Sequence, residues 1–430
     1  MKVLNYKDSD YPAFVKTLNR RAVPTDGLRE TVTGIIDQVK TEGDSALFSL
    51  TQKFDRLLLT ETTLFVSPEE IEAAEASVED SVKDAIAASK ANITAFAEKS
   101  LRQDWKFTNH QGAEVGERFV PFDRVGVYVP GGKAPLVSTA LMTAAFAQAA
   151  GVPSILAASP AGEDGSINPN LLYALKQSGA TEILKVGGAQ AIAAMSLGTQ
   201  SVDPVEKVFG PGNSFVVEAK RQLVGAVSID LLPGPSEVLV IADDSANPVF
   251  IAADLLAQAE HGGDSIVGFI TDSPTLLTEV RAEIERQLVS LSRGSYLQKV
   301  LEEGTFCLIT PDLAEAIQIC NQFAPEHLSL IVKEEDKWLP LVRTAGAIYV
   351  GNFAAVAVGD FLAGPSHTLP TGGSGKSFSG IRADQFQRRT SIVRMDQASV
   401  QASNPIVAEL ARVEGLDAHG RSVSIRAEWS

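Results

Sequence analysis

The sequence predicts an α/β protein made of two α/β/α units, each a parallel sheet covered by helices on both faces. Three observations carry this. From residue 125 onward, short apolar strand candidates alternate with helical stretches, the order that forces parallel pairing. The strands are near-continuous in apolar residues, as strands buried on two faces are. And 430 residues, 45% of them hydrophobic, suffice for two or three domains with sizeable cores.

Taken in chain order, the first hundred residues read as helical. Ser67, Pro68 and Glu70 form a start signal: a capping hydroxyl, a proline in the first turn and a carboxylate three residues on. A first series of strands follows: "VGVYV" (125–129), "SILAAS" (154–159), "EILKVG" (182–187) and "KVFG" (207–210). A second series runs through "EVLVIA" (237–242), "SIVGFIT" (265–271), "TFCLIT" (305–310), "HLSLIV" (327–332) and "GAIYVG" (346–351). After Gly351 comes a Gly/Ser/Thr/Pro-rich stretch of about thirty residues, a length that in a compact protein points to function or disorder. The chain then returns to helix. Asn404 and Pro405 read as a cap and first turn, and the closing segment is too small for its own core. It should pack on another domain or another subunit.

Composition removes several function classes. A net charge of −16 repels phosphate backbones, and no basic stripe with interleaved aromatics offsets it, so no nucleic-acid partner is expected. No apolar run reaches the roughly 20 residues that span a bilayer. The N-terminus lacks a signal-peptide pattern, so a cytoplasmic protein without a membrane partner is expected. Cys307 and Cys320, in apolar surroundings, read as buried inert thiols.

The chemistry-bearing candidates are few. Three glycine-rich turns, "VPGGKAP" (129–135), "VGGAQA" (186–191) and "FGPGNSF" (209–215), each follow a strand and precede a helix. None matches G-x-G-x-x-G, since Phe215 stands where the third glycine belongs, and "GGSGKSFSG" follows loop and is no P-loop. Each is either a turn needing positive φ or part of a ligand-lined sheet edge. Two of the five histidines directly follow a glutamate. His261 sits near a helix end with Gln258 three residues earlier on the same face, fit either for the helix dipole or for metal ligation. No His-Glu-x-x-His occurs, which excludes a metalloprotease. Glu326 and His327 open a strand, where adjacent side chains point to opposite sides, yet they could flank a proton-handling site. Asp360 and His419 are further plausible ligands, and His110 reads as surface loop.

Together "YVPGG", "VGGAQAIAA", "FGPGN", "EAKRQ", "GPSEVLVIAD", "DLLAQAEHG", "APEHL", "GD…AG…H.LPTGG", "DQFQRRTS" and "EGLDAH" resemble the histidinol dehydrogenase family, in order from about residue 120 onward. That resemblance implies two α/β/α domains like incomplete Rossmann units, with a C-terminal segment swapped across a homodimer. It divides the chain into residues 1–25 (N-terminal helical segment), 26–128 with 236–380 (metal and catalytic residues), 129–235 (NAD side) and 381–430 (reaching the partner). It implies zinc on Gln258, His261, Asp360 and His419, and catalysis by Glu326 and His327. Substrate contacts fall on Ser236, His327 and Glu414 together with the metal ligands, and NAD contacts on Tyr128, Gln190 and Asn213. The implied reaction takes L-histidinol to L-histidine through L-histidinal, reducing two NAD. Gly263 departs from the proline common in the family, and "GGSGKSFSG" and "YVPGGKAPL" are also variable ground. The rival readings are a related zinc and NAD dehydrogenase of another polyol or amino alcohol, a thiol-dependent aldehyde dehydrogenase, and a non-catalytic metal-binding or assembly protein that kept the fold.

Overall fold

All nine strand candidates form, eight within a residue of their expected ends and the candidate 182–187 ending three residues early at Leu184. The computed structural model describes residues 1–20, 26–131, 135–262 and 264–429, so Gly263 and the centre of the "VPGGKAP" turn lie outside the described residues. In chain order the strands are β1 (Lys2–Asn5), β2 (Trp105–Thr108), β3 (Glu114–Pro121), β4 (Arg124–Tyr128), β5 (Ser154–Ala158), β6 (Glu182–Leu184) and β7 (Lys207–Phe209). They continue with β8 (Ser228–Ile229), β9 (Glu237–Ala242), β10 (Ile266–Thr271), β11 (Thr305–Ile309), β12 (His327–Ile331), β13 (Ala347–Val350) and β14 (Gln387–Arg394).

Two parallel sheets result, ordered β1-β11-β10-β9-β12-β13 and β6-β5-β4-β7-β8, with an antiparallel sheet β14-β3-β2 beside them. Strand β9 shows why the apolar runs are continuous. Val238, Val240 and Ala242 enter the core on one face, while Leu239 and Ile241 enter a separate core on the other.

The five-stranded sheet has a different partner from the one expected. Helices from residues 26–100 bury Val32, Val39, Leu47, Leu50, Ile86 and Ile93 in one core with Val125, Phe146 and Ile192. By packing, that segment and β4 belong with residues 129–235 and not with 236–380. Ser67 does cap its helix: Glu70 N–H donates to Ser67 Oγ (3.3 Å) and Ser67 N–H donates to Glu70 Oε2 (2.9 Å).

Other departures trace to long-range pairing. The N-terminal stretch contains β1, which runs parallel to β11 with Val3 opposite Cys307. Four residues carry no periodicity of their own, and pairing makes them a strand. Strand β14 is almost wholly exposed and lies antiparallel to β3 in a region read as helix. Pro405 is inside the helix Gln397–Glu414, whose true cap is Asp396 in a reciprocal bond with Ser399. The long loop after Gly351 contains a short helix, Val356–Phe361, that carries Asp360. Among the described residues no helix is long and apolar enough to cross a membrane.

Candidate active site

The helix Leu313–Phe323 ends at Ala324, whose φ of 52° is left-handed, and Pro325 follows. This turn delivers Glu326 and His327 to the start of β12. Both side chains converge on one residue of the neighbouring strand, Glu237. Its N–H donates to Glu326 Oε2 (2.8 Å), and its carbonyl accepts from His327 Nδ1 (3.0 Å). Ser236 Oγ donates to the same carboxylate oxygen at 2.7 Å. The pair shares a side after all, because Glu326 precedes the first ladder residue of β12 and reaches laterally.

Since a carbonyl only accepts, Nδ1 carries a proton, and in neutral His327 the lone pair sits on Nε2. Nε2 lies 3.3 Å from Asp360 Oδ1, without hydrogen-bond alignment. Burial raises the Glu326 pKa to about 7, against the opposing pull of His327 and of its donors. Burial disfavours charge on His327 as well, but Glu326 and Asp360 outweigh it and lift that pKa to about 9. Burial favours the neutral acid at Asp360, yet His327, His367 and His261 hold it below the usual carboxylate range.

Gln258 is buried on the helix Pro248–Ala259, and His261 follows just past the cap with one edge open to solvent. Partial burial lowers the His261 pKa, against the attraction of Asp360. Gln258 Nε2, Asp360 Oδ1 and His327 Nε2 are buried without hydrogen-bond partners. Buried polar atoms seldom stay unpartnered; Asp360 Oδ1 and His327 Nε2 offer lone pairs, and a half-turn of the Gln258 amide would add its Oε1, so this cluster fits an electrophilic ligand such as a metal ion. Among the described residues, no three His, Cys, Asp or Glu side chains of one chain gather closely enough to hold an ion. His419 and Glu414 are exposed on the C-terminal helices and make no hydrogen bond or ion pair to these groups within the chain.

The other glycine turns meet at one edge of the five-stranded sheet. Tyr128 ends β4, and its hydroxyl accepts from Gly188 N–H (3.0 Å) at the start of the helix Gly188–Leu197, which also carries buried Gln190. Asn213 caps the helix Ser214–Leu223 with Oδ1, accepting from Phe215 (3.0 Å) and Val216 (3.2 Å), so its NH2 is the group left to donate outward. Gly210 has φ 109°, and a Cβ there would sit 2.1 Å from the Tyr128 carbonyl oxygen. Sequence reasoning missed the lock beneath this turn. Fully buried Lys220 donates to Gly210 O and Asp230 Oδ1 (2.6 Å each), and Asp230 Oδ2 accepts from Gly210 N–H (2.8 Å). The signal was present, since a lysine on the apolar face of a helix needs a buried partner. His367, also unassigned from sequence, joins the two sheets. Its Nδ1 donates to the Asp360 carbonyl (3.1 Å), and its Nε2 lies 3.2 Å from Thr139 Oγ1 on the helix Val137–Ala149.

Both thiols are buried, and burial pushes each pKa up to about 12, which keeps them protonated at neutral pH. Cys307→Ser and Cys320→Ser are therefore expected to leave oxidation of both the alcohol and the aldehyde intact. Each should lower stability by about 1–3 kcal/mol for burying a hydroxyl. Loss of aldehyde oxidation alone in either variant would reinstate a thiol mechanism.

A protonatable pair beside a nucleotide-type sheet edge is how dehydrogenases of alcohols and aldehydes are organised, and this chain is such an oxidoreductase. Its relatives specify the reaction. The family model described as histidinol dehydrogenase matches residues 18–427. The chain is 41% identical to histidinol dehydrogenase of Syntrophotalea carbinolica over 100% of both chains. It is 43% identical to that of Xylella fastidiosa (strain Temecula1), over 99% of both. A crystal structure of histidinol dehydrogenase from Elizabethkingia anophelis superposes with a TM-score of 0.94 at 36% identity, covering 99% of this chain and 98% of that one. The chain belongs to the histidinol dehydrogenase family, whose reaction is the oxidation of histidinol in histidine biosynthesis. An acetylating aldehyde dehydrogenase from Geobacillus thermoglucosidasius, 14% identical with a TM-score of 0.50 over 86% of this chain and 97% of that one, shares the fold alone.

Proposed function

We propose that L-histidinol is oxidised through L-histidinal to L-histidine in two NAD-dependent steps, in a cytoplasmic homodimer whose active sites are shared between subunits. The observation that carries the reading is the convergence of Glu326 and His327 on the Glu237 backbone, with His327 Nε2 turned toward Asp360. Gln258, His261 and Asp360, with His419 of a second copy, would hold zinc, which supplies positive charge and open positions for the substrate's nitrogens.

Were Asp360 engaged as a ligand, its charge would no longer be spent on His327, which would lower the imidazole's pKa and favour its acting as a base. His327 Nε2 takes the hydroxyl proton of histidinol, and NAD bound at the other sheet would supply the hydride acceptor. Glu326, with a pKa near neutrality, takes a proton from the water that adds to the aldehyde, while protonated His327 returns its proton to the carbonyl oxygen. His327 then accepts the hydrate's proton as the second hydride leaves. Ser236 keeps Glu326 aimed and would itself contact substrate. Tyr128, Gln190 and Asn213 line the edge at which NAD would bind, beside two helix N-termini suited to its phosphates.

The subunit reading rests on the C-terminal helices. They pack on each other and leave Leu410 (59% exposed), Val413 (68%) and Trp429 (75%) uncovered. An apolar face of that kind beside Glu414 and His419 suits a second copy of the chain.

NADH formation from histidinol and, separately, from histidinal tests the assignment. Glu326→Gln is expected to slow histidinal oxidation by about 10²-fold or more while slowing the first step less. Equal loss in both steps removes Glu326 as the water-activating base.

A further inference from the structure

Glu237 orients the proton-handling pair with its backbone, which raises the question of what holds Glu237 in place. Its side chain is 1% exposed, and Oε1 meets Arg20 Nη1 at 2.7 Å and accepts from Gly372 N–H at 3.1 Å. The Arg20 guanidinium stacks 3.8 Å from the ring centre of Phe323, in the last turn before Ala324–Pro325–Glu326. Gly373, with φ 82°, packs so closely on Arg20 that a Cβ would lie 2.5 Å from the Arg20 carbonyl oxygen. Thr371 Oγ1 accepts from Gly234 N–H, stitching the same loop to the entry of β9. The buried ion pair thus joins four segments: the chain around Arg20, the helix leading to Glu326, the entry to β9 and the loop 371–373. None of these side chains hydrogen-bonds to Glu326 or His327, and the Glu237 carboxylate acts on Glu326 only through its charge.

We propose that Arg20 and Glu237 are positioning residues, a buried clamp whose work is to hold the Glu237 peptide groups against Glu326 and His327. The clamp also gives the loop 371–373 a purpose, since Gly373 admits the Arg20 backbone and Gly372 supplies a donor to the carboxylate. The proposal rests on Glu326 and His327 being the proton-handling pair. Displacement of the Glu237 peptide moves both side chains at once, and misplacement on the order of 1 Å slows a reaction about 10²-fold. The substrate nitrogens would be held at the metal and NAD at the edge of the five-stranded sheet, so turnover should suffer far more than binding.

The test compares Glu237→Gln, Arg20→Met and the double variant with wild type in the zinc-loaded enzyme. Each single variant should lower kcat by about 10- to 100-fold, with KM for L-histidinol and NAD held within about twofold. Removing both charges relieves the unpaired one. The double variant should therefore regain thermal stability while its kcat stays low. That separation is the signature of positioning. Unchanged kcat in folded single variants, or a kcat that recovers with stability in the double variant, overturns the clamp. Should either single variant fail to fold, the double variant decides. Glu326→Gln and His327→Asn are measured alongside. If both keep full turnover, the underlying assignment falls, whereas loss there with normal clamp variants rejects the clamp alone.

Discussion

His261→Asn is expected to give a folded protein that no longer retains zinc and turns over histidinol at least ~10³-fold more slowly, the scale of several kcal/mol of lost charge stabilisation. The side chain lies just past the end of the helix Pro248–Ala259 and keeps an edge open to solvent, so asparagine disturbs little packing. Gln258 alone on that helix offers a weak neutral donor and does not hold the ion with Asp360. Metal analysis by mass spectrometry, beside circular dichroism and NADH formation, reads all three quantities on one preparation. Full zinc occupancy in an inactive variant would make His261 a substrate or proton residue. Full activity would remove the metal site as drawn.

Two inactive variants should repair one another. On the proposed roles, His327→Asn removes the base and His419→Asn removes a ligand that, within a chain, is exposed and apart from Gln258, His261 and Asp360. If the C-terminal helices serve the neighbouring subunit, a mixed dimer has one site with both residues intact and one with neither. Random reassociation then restores about a quarter of wild-type activity, since half the dimers are mixed and each has one working site. Mixing the separately purified variants through a reversible dissociation step, then assaying NADH formation, measures this. No recovery, with mixed dimers shown to form by a size or charge tag, places His419 in its own chain's site and ends the shared-site reading.

The alternation of strands and helices was legible because continuous apolar runs report burial on two faces, as β9 bears out. Burial and helix ends were legible at Ser67 for the same local reason. What was not legible depends on residues distant in sequence. Strand β1 exists because β11 receives it, and β14 because β3 does. At the site, the pairing of Glu326 with His327 was visible as a dipeptide, but its common anchor on Glu237 is set by strand register. Lys220, Arg20 and His367 are ordinary letters until the fold supplies Asp230, Glu237 and Thr139. The allocation of residues 26–100 to the five-stranded sheet is likewise a choice between two apolar surfaces that local pattern cannot rank.

Strand β1 has a consequence for the order of events on the ribosome. Residues 26–235 supply most of the core shared by their helices and the five-stranded sheet, so this part can begin to pack early in synthesis and is closed later by Ile381, Ala383 and Phe386. Lys2–Asn5 must wait for Thr305–Ile309 to emerge, about three hundred residues later, and Arg20 must wait for Glu237. A segment made well before its partners is therefore among the last to settle. The proton-handling pair acquires its alignment only when that early segment finds its place.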